Sequence, residues 1–171
     1  MQPLLPHMPP DASGPPVGAD EVLQARIADA AVVERYWSKV RPVDGDDCWY
    51  WMGAISAKGH GRFWLTAGHV VIAHRFGYAL AHPGEPLPPV VAHGCDNPLC
   101  QSPHPGHMHA STPGENRREW AERRWRIGGP LRDGRGARGR AQALREAVRA
   151  GSSLAEATAE GVSVLDQGTL W

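Results

Sequence analysis

Apolar residues recur at helical spacing from Asp20 to about Val40: Val22, Leu23, Ile27, Ala30, Ala31, Val33 and Trp37 fall on one stripe. The pattern predicts one amphipathic helix, ended by Pro42 and the acidic turn Asp44-Gly45-Asp46-Asp47. The period then shortens to that of strands. Three strand-like runs follow, Cys48–Ala54, Gly61–Thr66 and Val70–Ala73, divided by turns at Ala57-Lys58-Gly59 and Ala67-Gly68. Trp49, Trp51, Phe63 and Trp64 supply β-prone bulk. Trp49, Trp51 and Trp64 are assigned to the core, because a domain this small needs their area. His74–His82 reads as a short helix stopped by Pro83-Gly84, and Pro86, Pro88 and Pro89 as an extended linker. Val90-Val91-Ala92 and Met108–Ala110 are two further strands. Ser111 or Thr112 caps a helix that starts near Pro113 and runs to about Arg126. Beyond Gly128-Gly129-Pro130 the segment LRDGRGARGR reads as loose and basic, followed by helices of about Ala141–Ala150 and Ser153–Glu160. Residues 1–18, rich in Pro and Gly, are expected to be disordered, and VLDQGTLW to be a tail.

The elements predict an α+β class with a short antiparallel sheet flanked by helices. The expected division is a tail at 1–18, a compact domain with its N-terminal helix at 19–127, and a basic linker with two short helices and a tail at 128–171. With 20 Gly, 16 Pro and only 2 Phe in 171 residues, the core is small, and small cores need staples. Formal net charge is zero, yet residues 117–149 hold eleven Arg against four acids, a local excess of +7. Such a stripe points to a nucleic-acid backbone, or else to a solvated helix face. No apolar run is long enough to span a bilayer, so no membrane partner is expected. The N-terminus has neither a basic region nor an apolar stretch of the signal-peptide kind. Three Cys fit a disulfide framework poorly and fit thiolate ligands in a reducing compartment well, so a bacterial cytoplasm is expected.

The chemistry is concentrated in VVAHGCDNPLCQSPHPGHMHASTPGENRREW, residues 90–120. Cys95 and Cys100 flank a turn, with Asp96-Asn97-Pro98 between them, which folds two sulfurs toward one point. A structural zinc needs four such ligands in a tetrahedron. A nearby His is the natural third. The fourth must come from outside the loop, and Cys48 is the remaining thiol.

At these residues the chain resembles the HNH nucleases, in particular the His-Cys box homing endonucleases and their phage-encoded relatives. The resemblance runs through CWYWMG from Cys48, GRF from Gly61, AHRFGYAL from Ala73, HGCDNPLC from His93, His107-Met108 and Glu115-Asn116, about half the chain. It implies a small ββα-metal unit. It also implies that Cys48, Cys95, Cys100 and His107 hold a structural Zn²⁺, that His93 is the general base and Asn116 a ligand of a catalytic Mg²⁺ or Mn²⁺, and that Arg62 clamps the phosphate. Two departures stand out. His104 is a rival to His107, because Ser102-Pro103-His104-Pro105-Gly106-His107 replaces the shorter spacing of the family. Ala92 stands where the family often carries an acidic metal ligand. Arg75 is a rival to Arg62.

These residues together predict a metal-dependent endonuclease acting on double-stranded DNA in a bacterial or phage-infected cell, as a monomer or homodimer. Arg117, Arg118, Arg123 and Arg124 are the expected backbone contacts, with Gly134–Arg140 reaching into a minor groove. The alternative is a non-catalytic zinc-stapled DNA-binding module, which would have no use for both His93 and Asn116. The terminal Gln167, Leu170 and Trp171 resemble the motif that docks on the bacterial sliding clamp, with packing onto the helix around Leu154 as the other reading.

Overall fold

The computed structural model describes residues 18–162. The expected disordered stretch and the docking tail at Gln167, Leu170 and Trp171 lie outside the described residues, apart from Gly18. The chain is of mixed α and β structure, with small antiparallel sheets and a Cys3His cluster.

The first predicted helix is two helices, α1 (Ala19–Arg26) and α2 (Ala30–Trp37). Asp29 decides the break. Its carboxylate accepts from the Ala31 and Val32 amides, at 3.1 and 3.4 Å, and so starts a new helix rather than continuing the old one. Leu23, Val32 and Tyr36 carry the stripe into the core. Pro42 does not end the region in a turn. It sits in β1 (Val40–Val43), which pairs antiparallel with β2 (Asp46–Trp51). Proline is tolerated there because β1 has a neighbour on one side only.

A second sheet has the order β3 (Ala54–Ile55), β4 (Gly61–Thr66), β5 (His69–Ile72), all antiparallel. Along β4 the alternation buries Gly61, Phe63 and Leu65 and turns Arg62 and Trp64 outward. Trp64 is therefore not core. It is 49% exposed, with the Arg62 guanidinium 5.4 Å from its ring centroid. The strand's period had to choose one face, and Phe63 and Leu65 won it. Trp49 is half-buried and packs edge-on to Trp37, while Trp51 is fully buried. Trp51, Tyr36, Phe63 and Phe76 form the aromatic centre of the core, with ring centroids 4.9–5.8 Å apart where they touch.

α3 (Ala73–Ala81) follows β5 directly and supplies Phe76. Then come a third, two-stranded sheet of β6 (Val90–His93) and β7 (Met108–Ser111), and α4 (Pro113–Arg123). Thr112 is the cap of α4, in a reciprocal box with Glu115.

The segment after residue 128 is integral to the fold. α5 runs over Gly136–Ala150, five residues earlier than its apolar pattern predicts, and α6 over Leu154–Ala159. Ala141 and Leu144 are buried in the main core. Arg145 and Arg149 donate to the carbonyls of Gly53 and Met52, at 2.9 and 3.0 Å. The expected loose stretch Gly134–Arg140 is instead anchored. The buried Asp133 carboxylate binds Arg135 at 2.8 Å and lies 3.6 Å from Arg140. Charge that reads as free in sequence is partly spent on an internal partner.

Candidate functional site

Four ligand atoms converge between β2 and the loop that joins β6 to β7. The side chains of Cys48, Cys95, Cys100 and His107 place their donor atoms within 4.8 Å of one another. His107 Nδ1 lies 3.6 Å from the Cys48 sulfur and 3.4 Å from that of Cys100. A tetrahedral zinc with Zn–S of about 2.3 Å and Zn–N of about 2.1 Å has S–N edges of about 3.6 Å. The cluster is therefore already close to the size such an ion needs, and it could hold a metal such as zinc.

Local backbone chemistry builds this pocket. The Asn97 side chain accepts from the Leu99 amide at 3.1 Å, and the Cys100 amide donates to the Asn97 carbonyl at 3.0 Å, which closes the turn between the two thiols. Asp96 adopts a left-handed conformation, φ 52°, to make that turn. The Gly94 amide donates to the His107 carbonyl at 3.0 Å, drawing the two ends of the loop together. Any side chain at Gly94 would collide with the Gly106 carbonyl. The thiols cannot all ionise unaided. Hydrogen bonds from Cys100 and Cys48 hold the Cys95 thiol down to about 4, and contact with Cys48 and Cys95 pushes the Cys100 thiol up. A divalent cation removes that conflict, because it favours three thiolates at once. His104 is exposed and packs edge-on against Trp49, 5.7 Å away, so the two-histidine ambiguity resolves to His107.

Beside this cluster lies a cleft of about 900 Å³. His93, at the end of β6, and Asn116, in the first turn of α4, both line it. They are 23 positions apart, and the strand–loop–strand–helix path brings them together. His93 is buried, and its Nε2 donates to the Cys100 carbonyl at 3.0 Å. That bond sets the tautomer and leaves Nδ1 with the lone pair. Burial is the main reason the imidazole is lowered to about 4, so it is neutral at pH 7.

Two further histidines surround it, which sequence reasoning did not single out. His74 Nε2 donates to the Val91 carbonyl at 3.1 Å, and its ring lies 4.3 Å from that of His93. His60 is 5.4 Å from His74 and 6.2 Å from His93. Burial lowers both, His60 to about 4 and His74 well below its ordinary value. No local signal marks them; they meet only because the turn before β4 and the start of α3 come together at the end of β6. Five basic side chains line the cleft (Lys58, Arg75, Arg117, Arg123, Arg140) against two carboxylates. Each carboxylate is bound by an arginine, Asp20 by Arg75 at 2.9 Å and Asp96 by Arg123 at 2.8 Å.

The arginines expected at DNA therefore divide. Arg123 is engaged within the fold. Its guanidinium takes both Asp96 oxygens, Glu119 at 3.4 Å and the His93 carbonyl at 3.4 Å. Arg117 and Arg118 are exposed, and Arg117 faces the cleft. Arg124 lies over the rings of Trp120 and Trp125, 4.8 and 4.7 Å from their centroids. Arg62 does not line the cleft; it borders a shallower depression beside it, together with Lys58 and His60. Arg75 is held by Asp20 and by the carbonyls of Pro88 and Pro89.

The chain is similar to two small proteins of Escherichia phage T7. Protein 2.8 is 40% identical over 75 residues, 43% of this chain and 49% of the relative. Protein 7.7 is 38% identical over 71 residues, 42% of this chain and 52% of the relative. The chain thus spans about half the length of the curated relatives it matches. No family model and no solved structure matches it. No helix among the described residues is long and apolar enough to cross a membrane.

Proposed function

We propose that this chain is a metal-dependent endonuclease of the HNH kind, hydrolysing DNA phosphodiester bonds in a phage-infected bacterial cell. One observation carries the reading. His93 and Asn116 face a single basic cleft, directly beside a four-ligand cluster that needs neither of them. A purely structural zinc module has no reason to bury an imidazole with its tautomer fixed and its second nitrogen left as an acceptor.

His93 Nδ1 takes a proton from the attacking water, while Nε2 stays on the Cys100 carbonyl. An imidazole lowered to about 4 is a weak base, and the negative charge of a bound phosphodiester raises it again. Asn116 would hold the catalytic ion, and a hydrated Mg²⁺ or Mn²⁺ bound there supplies Lewis-acid relief of phosphate charge. The remaining tasks fall to the cleft's cations. Lys58 and Arg117 are better placed than Arg62 to hold the substrate phosphate. The Cys3His cluster would take Zn²⁺ and fix the loop whose carbonyl orients His93. The expected products carry 5′-phosphate and 3′-hydroxyl ends.

The experiment is cleavage of supercoiled plasmid by zinc-loaded protein, with and without added Mg²⁺, beside His93→Ala and Asn116→Ala. Mg²⁺-dependent nicking that both variants lose supports the enzyme. Tight DNA binding with no cleavage under any divalent ion would leave the zinc-stapled binding module in its place.

A further inference from the structure

α4 is unusual among the helices that flank the site, because none of its residues is buried. Its attachment is polar, through Arg123 and Glu119. Yet it carries Trp120, 47% exposed, and Trp125 follows it at 66%. Large rings left in water on a helix that packs no core need another explanation. Trp120 stands one turn beyond Asn116 and lines the same cleft. The Arg124 guanidinium lies over both rings, 4.8 Å from the Trp120 centroid and 4.7 Å from that of Trp125, and so restrains the Trp120 side chain. A ring fixed in advance loses little freedom when another flat group stacks on it.

We propose that Trp120, with Arg124 and Trp125 behind it, is a stacking platform for an unpaired nucleobase next to the phosphate held in the cleft. This rests on reading the cleft as a phosphodiester site. Charge selects the occupant: the cleft is basic and both of its carboxylates are already bound. An aromatic face beside a basic cleft fits a base on a phosphate backbone better than an apolar peptide. In intact duplex both faces of a base are covered by its neighbours, so the platform favours single-stranded, frayed or flipped nucleotides. Trp64 is an internal control. It is equally exposed and also stacked by an arginine, but it does not line the cleft.

The test is fluorescence anisotropy of zinc-loaded full chain, without added Mg²⁺, on labelled oligothymidylate and on a blunt duplex of equal length. Trp120→Ala should weaken oligothymidylate binding about tenfold and duplex binding no more than about twofold. Trp120→Phe should restore most of the loss, and Trp64→Ala should behave as wild type. Zinc content and melting temperature should be unchanged in all three. Equal loss on both DNAs, or none on either, overturns the platform. So does a wild-type dimer in light scattering that Trp120→Ala dissociates while oligothymidylate binding stays the same, since the face would then belong to a second copy. Trp120-dependent binding by a protein that never cuts plasmid removes the nuclease reading and leaves the platform. Cleavage with no such dependence removes the platform alone.

Discussion

The Cys3His cluster and the His93 cleft lie side by side and share one loop, but they are built on opposite principles. The cluster converges four soft or borderline donors on one point and leaves no position open. The cleft spreads His93, Asn116 and a set of cations around about 900 Å³ of open space. A closed set of ligands binds an ion in order to hold a fold; an open one leaves room for water and substrate. Short contacts join them, among them the hydrogen bond from His93 to the carbonyl of Cys100 and the Arg123 pair with Asp96 of the shared loop. The two sets of residues are thus distinct, although they are close neighbours.

Breaking the closed centre should have the largest effect. Structural zinc contributes about 10–16 kcal/mol to small zinc domains, more than a domain of this size has to spare. Cys48→Ser, Cys95→Ser and Cys100→Ser should each give protein that lacks zinc and shows no cooperative melting by circular dichroism. A metal-free protein that melts at the wild-type temperature would make the cluster incidental. The open site should respond in the opposite way. His93→Ala and Asn116→Ala should cut plasmid cleavage by at least about 10²-fold while zinc content and DNA affinity stay at wild-type values.

Acid should damage the cleft's own architecture. An unfolded histidine takes up its proton near pH 6.5, folded His60 and His93 near 4, and His74 lower still. The stability carried by these neutral rings is whole above pH 6.5 and is lost as pH falls from there through about 4. Each ring can add a slope of up to about 1.4 kcal/mol per pH unit in that window. His60 is the informative one to change, because it has no bond to the metal-binding loop. His60→Gln should flatten the fall of melting temperature between pH 6.5 and 4.5. Parallel curves for the two proteins would show that His60 carries none of this dependence.

The smallest effects should separate the arginines. Arg123→Ala loses a part-buried ion pair in which Nε donates to both Asp96 oxygens, and should cost about 1–3 kcal/mol of stability in urea titrations. Arg117→Gln and Arg118→Gln should leave the urea midpoint where it is. Each should flatten the slope of log affinity against log salt by up to about one unit. The reverse assignment, with Arg123 setting the salt slope, would mean that its contact with Asp96 opens when DNA binds.

Much of this could be read directly from the order of residues. The β-prone run Gly61–Thr66, the capping signal at Ser111 or Thr112 and the proline-glycine stops located most elements, because they depend on neighbours a few positions away. The two-thiol turn and its need for a distant fourth ligand were legible for the same reason, since a ligand inventory is a property of composition. The failures are of one kind. Asp29 splitting a helix, Pro42 entering an edge strand and Trp64 facing water were each decided by competition for a cap, a partner strand or a core face. The sequence alone therefore determined which donors are available and that some metal-type site should exist. Only the tertiary structure decided that His107 rather than His104 joins the thiols, that His60 and His74 gather around His93, and that Arg123 and the arginines near Asp133 are spent internally. Those choices depend on which side chains meet across long stretches of chain, and such meetings are set by packing the whole core rather than by any local pattern.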